Sequence, residues 1–236
     1  MSSDLFKFGI FKKQAHILFV MGLFSICLLP ARASEFADTV ARVKQSVVGI
    51  GTVLSTRRPP FKFSGTGFAV GDGNLILTNA HVVSTTLDRE KFEHWVVVTG
   101  GEKQRKVLPV KIVAKDEDHD LALLKIDTKL PPLILAPNAR VREGNEYGFT
   151  GFPIGAVLGL YPVTHRAYIS AITPIAIPAS STKQLDRNKI NRLRESYQVL
   201  QLDAIAYPGN SGSPLYDPNT GEVIGILNMV FVKQSG

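Results

Sequence analysis

From Val47 onward the chain consists of short runs rich in valine, isoleucine, leucine and aromatic residues, separated by glycine, proline, asparagine and aspartate. Such runs predict antiparallel strands, and Gly71-Asp72-Gly73-Asn74 is a tight-turn signature between two of them. Before Pro131-Pro132 we predict six strands: Val47–Leu54, Gly65–Val70, Asn74–Thr78, Trp95–Val98, Lys106–Ala114 and Leu121–Ile126. After it we predict five: Glu146–Thr150, His165–Thr173, Tyr197–Asp203, Pro214–Tyr216 and Glu222–Val232. We therefore expect one large all-β domain or two small β lobes, preceded by a short helix at Ser34–Gln45.

The segment Pro208-Gly209-Asn210-Ser211-Gly212-Ser213-Pro214 places a serine between two glycine-containing turns. Glycine has no Cβ, so the backbone can turn sharply there and present the Ser211 hydroxyl beside converging N–H groups. A nucleophile next to an oxyanion hole is the arrangement that acyl transfer needs. Glycine-serine loops are common, so the segment gains its meaning from the residues that accompany it.

Two other segments supply the partners that a serine nucleophile requires. His81 lies in the segment Leu75–Val83, where an apolar strand-like run ends. Asp120 immediately precedes another such run, Leu121–Ile126. A histidine takes the proton of the serine, and a carboxylate fixes the tautomer of that histidine and steadies the imidazolium. Alone, each of the three residues would be an ordinary strand-end or turn residue, whereas together they predict a catalytic triad.

The order His81, Asp120, Ser211 is that of the chymotrypsin-type barrels, and the chain resembles trypsin-like serine proteases of the bacterial Htr-type branch. The resemblance rests on seven segments in family order: Ser64–Phe68, Thr78–Val83, Asp120–Ile126, Gly151–Gly155, Leu200–Asp203, Pro208–Gly212 and Val223–Ile226. It extends from about Val47 to Val232.

The resemblance implies a fold and a set of site residues. The fold would be two packed six-stranded antiparallel barrels, covering about residues 46–130 and about residues 137–236, with the catalytic cleft between them. His81, Asp120 and Ser211 would be catalytic. The oxyanion hole would be formed by the N–H groups of Gly209 and Ser211, with Asn210 shaping the turn between them.

The resemblance also implies a specificity pocket. Ile205, six residues before Ser211, would form its base, and Ile226 and Leu227 would line the opposite wall. A lysine or arginine would be buried there without a partner, which is unfavourable. We therefore expect an endopeptidase that cleaves after small or aliphatic residues. The substrate would be a protein or peptide, with no cofactor.

The first 33 residues have the pattern of a signal peptide. Basic Lys7, Lys12 and Lys13 precede the apolar run Ala15–Leu29, and Ala31-Arg32-Ala33 offers a cleavage site. An uncleaved anchor is the alternative. We expect an exported, periplasmic or secreted protein whose domain covers residues 34–236. Its only cysteine, Cys27, lies in the leader, which excludes a thiol nucleophile or thiolate metal site in the exported form.

Charge and spacing argue against other classes of partner. The formal net charge of +7 falls to about +4 without the leader, which holds four basic residues and one acidic residue. The sequence has neither zinc-finger spacing nor interleaved aromatic and basic residues, so it does not predict nucleic-acid binding. Asp116, Asp118 and Asp120 alternate as in a calcium loop, but Leu121 and Asp127 stand where glycine and glutamate are required, so no metal is expected. His119 is expected at the surface.

Three features leave alternatives open. Ser213 stands where the family usually has glycine, so the alternative function is a catalytically silent barrel that binds peptides or partners. Residues 179–197 form an insertion, either a solvated amphipathic element or a regulatory one. We also expect the second barrel to be truncated at its C-terminus, without a PDZ module, because only Lys233-Gln234-Ser235-Gly236 follows its last strand. An unpaired strand edge would favour association with other chains.

Overall fold

The computed structural model describes residues 35–99, 105–136, 140–153, 160–174 and 197–228. Within these ranges the chain forms one α-helix and twelve β-strands. The predicted signal peptide, the insertion up to residue 196 and the residues after Asn228 lie outside the described part. Among the described residues, no helix is long and apolar enough to cross a membrane.

The first sheet contains seven antiparallel strands in the order β5-β4-β1-β2-β3-β7-β6. The helix α1, Glu35–Lys44, precedes it and matches the predicted leading helix. The strands are β1 (Val47–Val53), β2 (Phe61–Val70), β3 (Leu75–Thr78), β4 (His94–Thr99), β5 (Lys106–Pro109), β6 (Lys111–Asp116) and β7 (Leu121–Lys125).

The strand count of the first sheet corrects the sequence prediction of six. The predicted strand Lys106–Ala114 is two strands, because the chain changes partners between Pro109 and Lys111. β5 pairs with β4, whereas β6 pairs with β7 at the other edge of the sheet. Between them, the N–H of Val110 donates to the carbonyl oxygen of Trp95 at 3.1 Å. Pro109 has no N–H to continue the ladder, so the run breaks there.

The second sheet contains five antiparallel strands in the described part of the chain, in the order β10-β9-β8-β11-β12. Its strands are β8 (Glu146–Gly151), β9 (Val163–Pro174), β10 (Gln198–Leu202), β11 (Pro214–Tyr216) and β12 (Val223–Ile226). The two curled sheets confirm the predicted all-β, trypsin-like double barrel. The described strands number seven and five rather than six and six.

Three apolar clusters fill these sheets and the space between them. The first-barrel core includes Val48, Ile50, Ile76, Val82, Val83, Trp95 and Leu124. The second-barrel core includes Tyr147, Phe149, Ile169, Leu215 and Leu227. The inter-barrel cluster joins Val43, Val47, Phe68 and Val98 to Phe152, Leu160, Tyr216 and Val223.

The inter-barrel cluster is what fixes one sheet against the other. Phe68 on β2 and Tyr216 on β11 are both 0% exposed. Complete burial of an apolar side chain the size of phenylalanine contributes about 1.5–3 kcal/mol. Residues of both sheets share this burial, so the loops at the junction are held in a defined relative position.

Candidate active site

His81 lies just beyond the end of β3, in a 3₁₀ turn that covers His81–Val83. Val82 and Val83 are each 2% exposed and belong to the first-barrel core, so they anchor the turn. The side chain of His81 is 47% exposed and is presented to solvent. The N–H of Ala80 donates to the carbonyl oxygen of Asp120 at 3.1 Å, which ties this turn to the start of β7.

Asp120 holds His81 through both of its carboxylate oxygens. Oδ2 lies 2.6 Å from Nδ1 of His81, and Oδ1 accepts the backbone N–H of His81 at 2.8 Å. An ionised carboxylate can only accept hydrogen bonds, so Nδ1 carries the proton. Nε2 is thereby left as the basic nitrogen, which is the tautomer that a general base requires.

The backbone of Asp120 is also unusual, with φ of 53°. This left-handed conformation costs a non-glycine residue roughly 1–2 kcal/mol, although aspartate tolerates it better than most residues. Asn79, which is 0% exposed, donates from Nδ2 to the Asp120 carbonyl oxygen at 3.0 Å. Local hydrogen bonds therefore offset the strain and keep the carboxylate directed at His81.

Ser211 lies in a loop of consecutive tight turns before β11. The N–H of Asn210 donates to the Tyr207 carbonyl at 3.1 Å, and the N–H of Ser213 donates to the Asn210 carbonyl at 3.0 Å. Gly212 has φ of 86°, and a Cβ on it would collide with the Thr66 carbonyl oxygen. Position 212 therefore needs glycine both for its conformation and for its close approach to β2.

The His81 turn and the Ser211 loop converge on Gly65 in β2. A Cβ built on Gly65 would lie 2.8 Å from Val82 Cγ2 and 3.1 Å from the Ser211 carbonyl oxygen. Ser211 Oγ donates to the Asn228 carbonyl oxygen at 3.4 Å. Among the hydrogen bonds of the described residues, none joins Ser211 Oγ to His81. The structure thus pairs His81 with Asp120 and brings the Ser211 loop against the same glycine, with Oγ turned to Asn228.

The backbone N–H groups of the Ser211 loop differ in their hydrogen bonding. That of Asn210 is used in the turn with Tyr207. Within the described part of the chain, the N–H groups of Gly209 and Ser211 have no acceptor. Gly209 has φ of 101°, which glycine adopts readily. Within the described residues, two N–H groups without an acceptor thus flank a bonded one, and the oxyanion hole of Gly209 and Ser211, with Asn210 between them, stays a prediction.

Ser213 is buried in the loop in a backbone conformation that does not require glycine. It is 0% exposed, and it is absent from the described residues with positive φ, so its position needs no glycine. Its hydroxyl lies against Gly151, the last residue of β8, where an added Cβ would collide with Ser213 Oγ. The absence of a side chain at Gly151 thus creates the space that Ser213 fills, which removes the main argument for a silent barrel.

The three predicted pocket residues lie on different surfaces. Ile205 is 72% exposed. Ile226 packs against the inter-barrel cluster, whereas Leu227, 9% exposed, belongs to the second-barrel core. Ile226 and Leu227 thus pack in different clusters, and the specificity pocket stays a prediction.

The acidic turn before Asp120 is organised by hydrogen bonds of its own. Asp116 Oδ2 lies 2.7 Å from His119 Nδ1, and Asp116 Oδ1 accepts the N–H groups of Asp118 and His119 at 3.1 Å each. The hydrogen bond from the His119 side chain is the main cause that lowers the pKa of Asp116. The His119 side chain is 49% exposed, as expected for a surface residue.

Sequence reasoning did not assign roles to Thr66, Thr78 and Asn79, which are all 0% exposed and hold the site residues. Their segments, Ser64–Phe68 and Thr78–Val83, were among those that carry the family resemblance. The signal available in the sequence was a threonine and an asparagine, Thr78 and Asn79, just before the predicted catalytic histidine. The distant acceptors that give them a role become visible only in the folded chain.

Comparison with known proteins supports the interpretation of this chain as a trypsin-like peptidase domain. The family model of the trypsin-like peptidase domain matches residues 65–226. Serine protease HTRA1A of Danio rerio is 33% identical over 195 residues, which are 80% of this chain and 36% of that protein. A probable periplasmic serine endoprotease DegP-like of Hahella chejuensis is 30% identical over 175 residues, or 73% of this chain and 31% of that protein. The chain thus spans about a third of the length of these relatives.

Solved structures of proteases also resemble this chain in fold. The crystal structure of Deg5 superposes with a TM-score of 0.61 and 25% identity, covering 85% of this chain and 87% of that one. The serine endoprotease from Yersinia pestis superposes with a TM-score of 0.59 and 27% identity, covering 83% and 58%. The predicted resemblance to Htr-type proteases is confirmed, and the chain belongs to the trypsin-like peptidase domain family.

Proposed function

We propose that this chain is a serine endopeptidase in which Ser211 is the nucleophile, His81 the general base and then acid, and Asp120 the residue that orients His81. The observation that carries the proposal is the two-point contact of Asp120 with His81, at 2.6 Å and 2.8 Å, beside a loop that presents Ser211. That contact leaves Nε2 of His81 as the base.

The reaction proceeds through an acyl-enzyme. Ser211 Oγ attacks the carbonyl carbon of the scissile peptide bond while its proton passes to His81 Nε2. The tetrahedral oxyanion is bound by the N–H groups of Gly209 and Ser211, which have no acceptor among the described residues. His81 then gives the proton to the departing amine as the C–N bond breaks. Water then attacks the ester carbon while its proton passes to His81, and His81 returns that proton to Ser211 Oγ as the ester C–O bond breaks and the acid product leaves.

Before the first step Ser211 Oγ must turn from the Asn228 carbonyl toward His81. An O–H···O hydrogen bond normally measures 2.5–3.0 Å, so the 3.4 Å contact with Asn228 is weak. Breaking this contact therefore costs less free energy than Ser211 Oγ gains by donating a hydrogen bond to His81 Nε2. The catalytic hydrogen bonds of proteases are often long without substrate and tighten when substrate binds.

The substrate is a protein or peptide, and cleavage is proposed after small or aliphatic residues. Ile205 places no carboxylate where a basic side chain would need one. Export is proposed from the leader at residues 1–33, and the Hahella chejuensis relative is named as periplasmic. Association with other chains stays a prediction.

A fluorophosphonate probe tests the mechanism directly, because it reacts with an activated serine. We expect the purified protein to be labelled at Ser211, as located by mass spectrometry of the digested adduct. Ser211→Ala and His81→Ala should abolish labelling, while Ser170→Ala, which changes an exposed serine on β9, should leave it intact. Unlabelled wild-type protein, or label on Ser211 in the His81→Ala protein at the wild-type rate, would refute the proposal.

A further inference from the structure

Thr66 on β2 is completely buried and forms four hydrogen bonds, three of which reach residues of the second barrel. Its hydroxyl donates to the Gly209 carbonyl oxygen at 2.7 Å and accepts the Phe152 N–H at 3.1 Å. Its backbone N–H donates to the Ser211 carbonyl oxygen at 2.9 Å. Its own carbonyl accepts the Thr78 hydroxyl at 2.7 Å.

The hydroxyl of Thr66 restrains the Ser211 loop at Gly209, where the backbone has the most conformational freedom. Gly209 lacks a Cβ and has φ of 101°, so sterics alone do not fix the orientation of the following peptide. The carbonyl of that peptide is bound by Thr66, and its N–H, from Asn210, is bound by Tyr207 at 3.1 Å. With both ends of this peptide held, the N–H groups of Gly209 and Ser211 on either side keep one direction.

Thr66 also connects this loop to the strand that carries His81. Thr78, whose hydroxyl holds the Thr66 carbonyl, is the last residue of β3 and stands three positions before His81. The Thr66 N–H binds the carbonyl of the nucleophile itself. Two hydrogen bonds, with the backbone from Thr78 to His81, therefore connect the proposed base in the first barrel to the proposed nucleophile in the second.

We infer that Thr66 is a positioning residue for the oxyanion hole and for Ser211. This inference rests on the proposed peptidase function and adds a determinant of its rate outside the triad. Thr66 touches no substrate. It acts by keeping the Gly209–Asn210 peptide, and with it two N–H donors, aligned before the transition state forms. Misplacement of catalytic groups by 1 Å costs about 100-fold in rate.

The test compares Thr66→Val, which keeps the shape and removes the hydroxyl, with Thr66→Ser, which keeps the hydroxyl. Thr150→Val is the matched control, because Thr150 is also 0% exposed and its hydroxyl also has two partners, Thr164 and Tyr216. We would measure kcat and KM on a fluorogenic peptide with valine before the cut bond. Affinity for a peptide boronate of the same sequence, the fluorophosphonate labelling rate and the Tm complete the comparison.

Thr66→Val should lower kcat by about 10–100-fold with KM within about threefold of wild type, and weaken boronate binding by a similar factor. Thr66→Ser should restore most of kcat. Thr150→Val should lower Tm comparably with kcat unchanged. A Thr66→Val kcat equal to that of Thr150→Val, or no rescue by serine, would overturn the inference while leaving the peptidase proposal intact. Inactive, unlabelled wild-type protein would overturn both.

Thr78→Val keeps the inference testable if Thr66→Val does not fold. It removes only the hydroxyl that holds the Thr66 carbonyl. We expect about a threefold to tenfold decrease in kcat, with the same pattern of nearly unchanged KM and weaker boronate binding. A Thr78→Val protein with wild-type kcat and boronate affinity would count against the connection between Thr66 and His81.

Discussion

Glu93 holds the loop that follows His81, and its protonation should destabilise the protein in acid. Oε1 accepts hydrogen bonds from Thr52 Oγ1 and Arg57 Nη1, both at 2.7 Å, and Oε2 accepts the Asp88 N–H at 3.0 Å. The Glu93 side chain is 7% exposed. The hydrogen bond from Thr52 is the largest of the causes that lower the pKa of Glu93 from 4.5 to about 2.

The magnitude follows from this shift in pKa. Because the carboxylate is favoured in the folded protein, its stabilisation is fully present above pH 4.5 and is lost as the pH falls toward 2. A shift of this size corresponds to about 3 kcal/mol of unfolding free energy. Glu93→Gln should remove about that amount at pH 7, leaving Arg57 without its carboxylate.

The assay is urea unfolding at pH 7, 5 and 3, followed by the fluorescence of Trp95. Trp95 is the only tryptophan and is 5% exposed. The difference in stability between wild type and Glu93→Gln should be nearly constant from pH 7 to 5 and should shrink by about 2 kcal/mol by pH 3. Glu90→Gln, at an exposed neighbouring position, is the control for charge. A difference below about 0.5 kcal/mol at pH 7, or one that does not change with pH, would refute this account of Glu93.

Three further changes test the site and its surroundings. Asp120→Asn should lower kcat about 10⁴-fold with little change in Tm, because the amide donates to His81 and favours the wrong tautomer; steady-state kinetics decide. Gly151→Ala should cost about 1–3 kcal/mol through its collisions with Ser213 Oγ and Asn210 Oδ1, and Ser213→Gly in the same chain should recover the part due to Ser213 in urea unfolding. Ile205→Asp should increase cleavage after lysine or arginine in a peptide library, and an unchanged cleavage profile would show that Ile205 does not face the substrate.

The pairing of His81 with Asp120 and most of the strands could be predicted because their signals are local. His81 and Asp120 stand at strand ends, and each strand is a continuous apolar run between turn residues. The break at Pro109 was missed because the apolar run continues past it into β6. The separate packing of Ile226 and Leu227 was not foreseen, because it depends on which apolar cluster each side chain meets in the folded chain.

Ser213 shows why some parts of the site cannot be judged from neighbouring residues. A serine in place of glycine suggested a disturbed turn, but the backbone there needs no positive φ. The space for the hydroxyl comes from Gly151, which is 62 positions earlier in the chain. Thr66 is similar, because its hydroxyl meets Gly209 at a separation of 143 residues. Such pairings depend on how two barrels meet, which no local pattern specifies.

Gly65 provides the last test, because it lies where both halves of the site meet. A methyl group there would approach Val82 Cγ2 to 2.8 Å and the Ser211 carbonyl to 3.1 Å. Gly67, on the same strand, is crowded to the same degree by Ile50 and Ile76, whose closest atoms would lie 2.8 Å away in each case. Gly65→Ala and Gly67→Ala therefore introduce equal crowding, one between His81 and Ser211 and the other inside the first-barrel core.

Both variants should lose about 1–3 kcal/mol of stability in urea unfolding. Only Gly65→Ala should also lower kcat, by at least tenfold, because its methyl group separates the His81 turn from the Ser211 loop. Active-site titration with the fluorophosphonate would correct both rates for the fraction of folded enzyme. Equal kcat values for the two variants after this correction would mean that the spacing across Gly65 does not set the alignment of base and nucleophile. A selective loss in Gly65→Ala would show that the first barrel acts on the nucleophile through packing as well as through the triad.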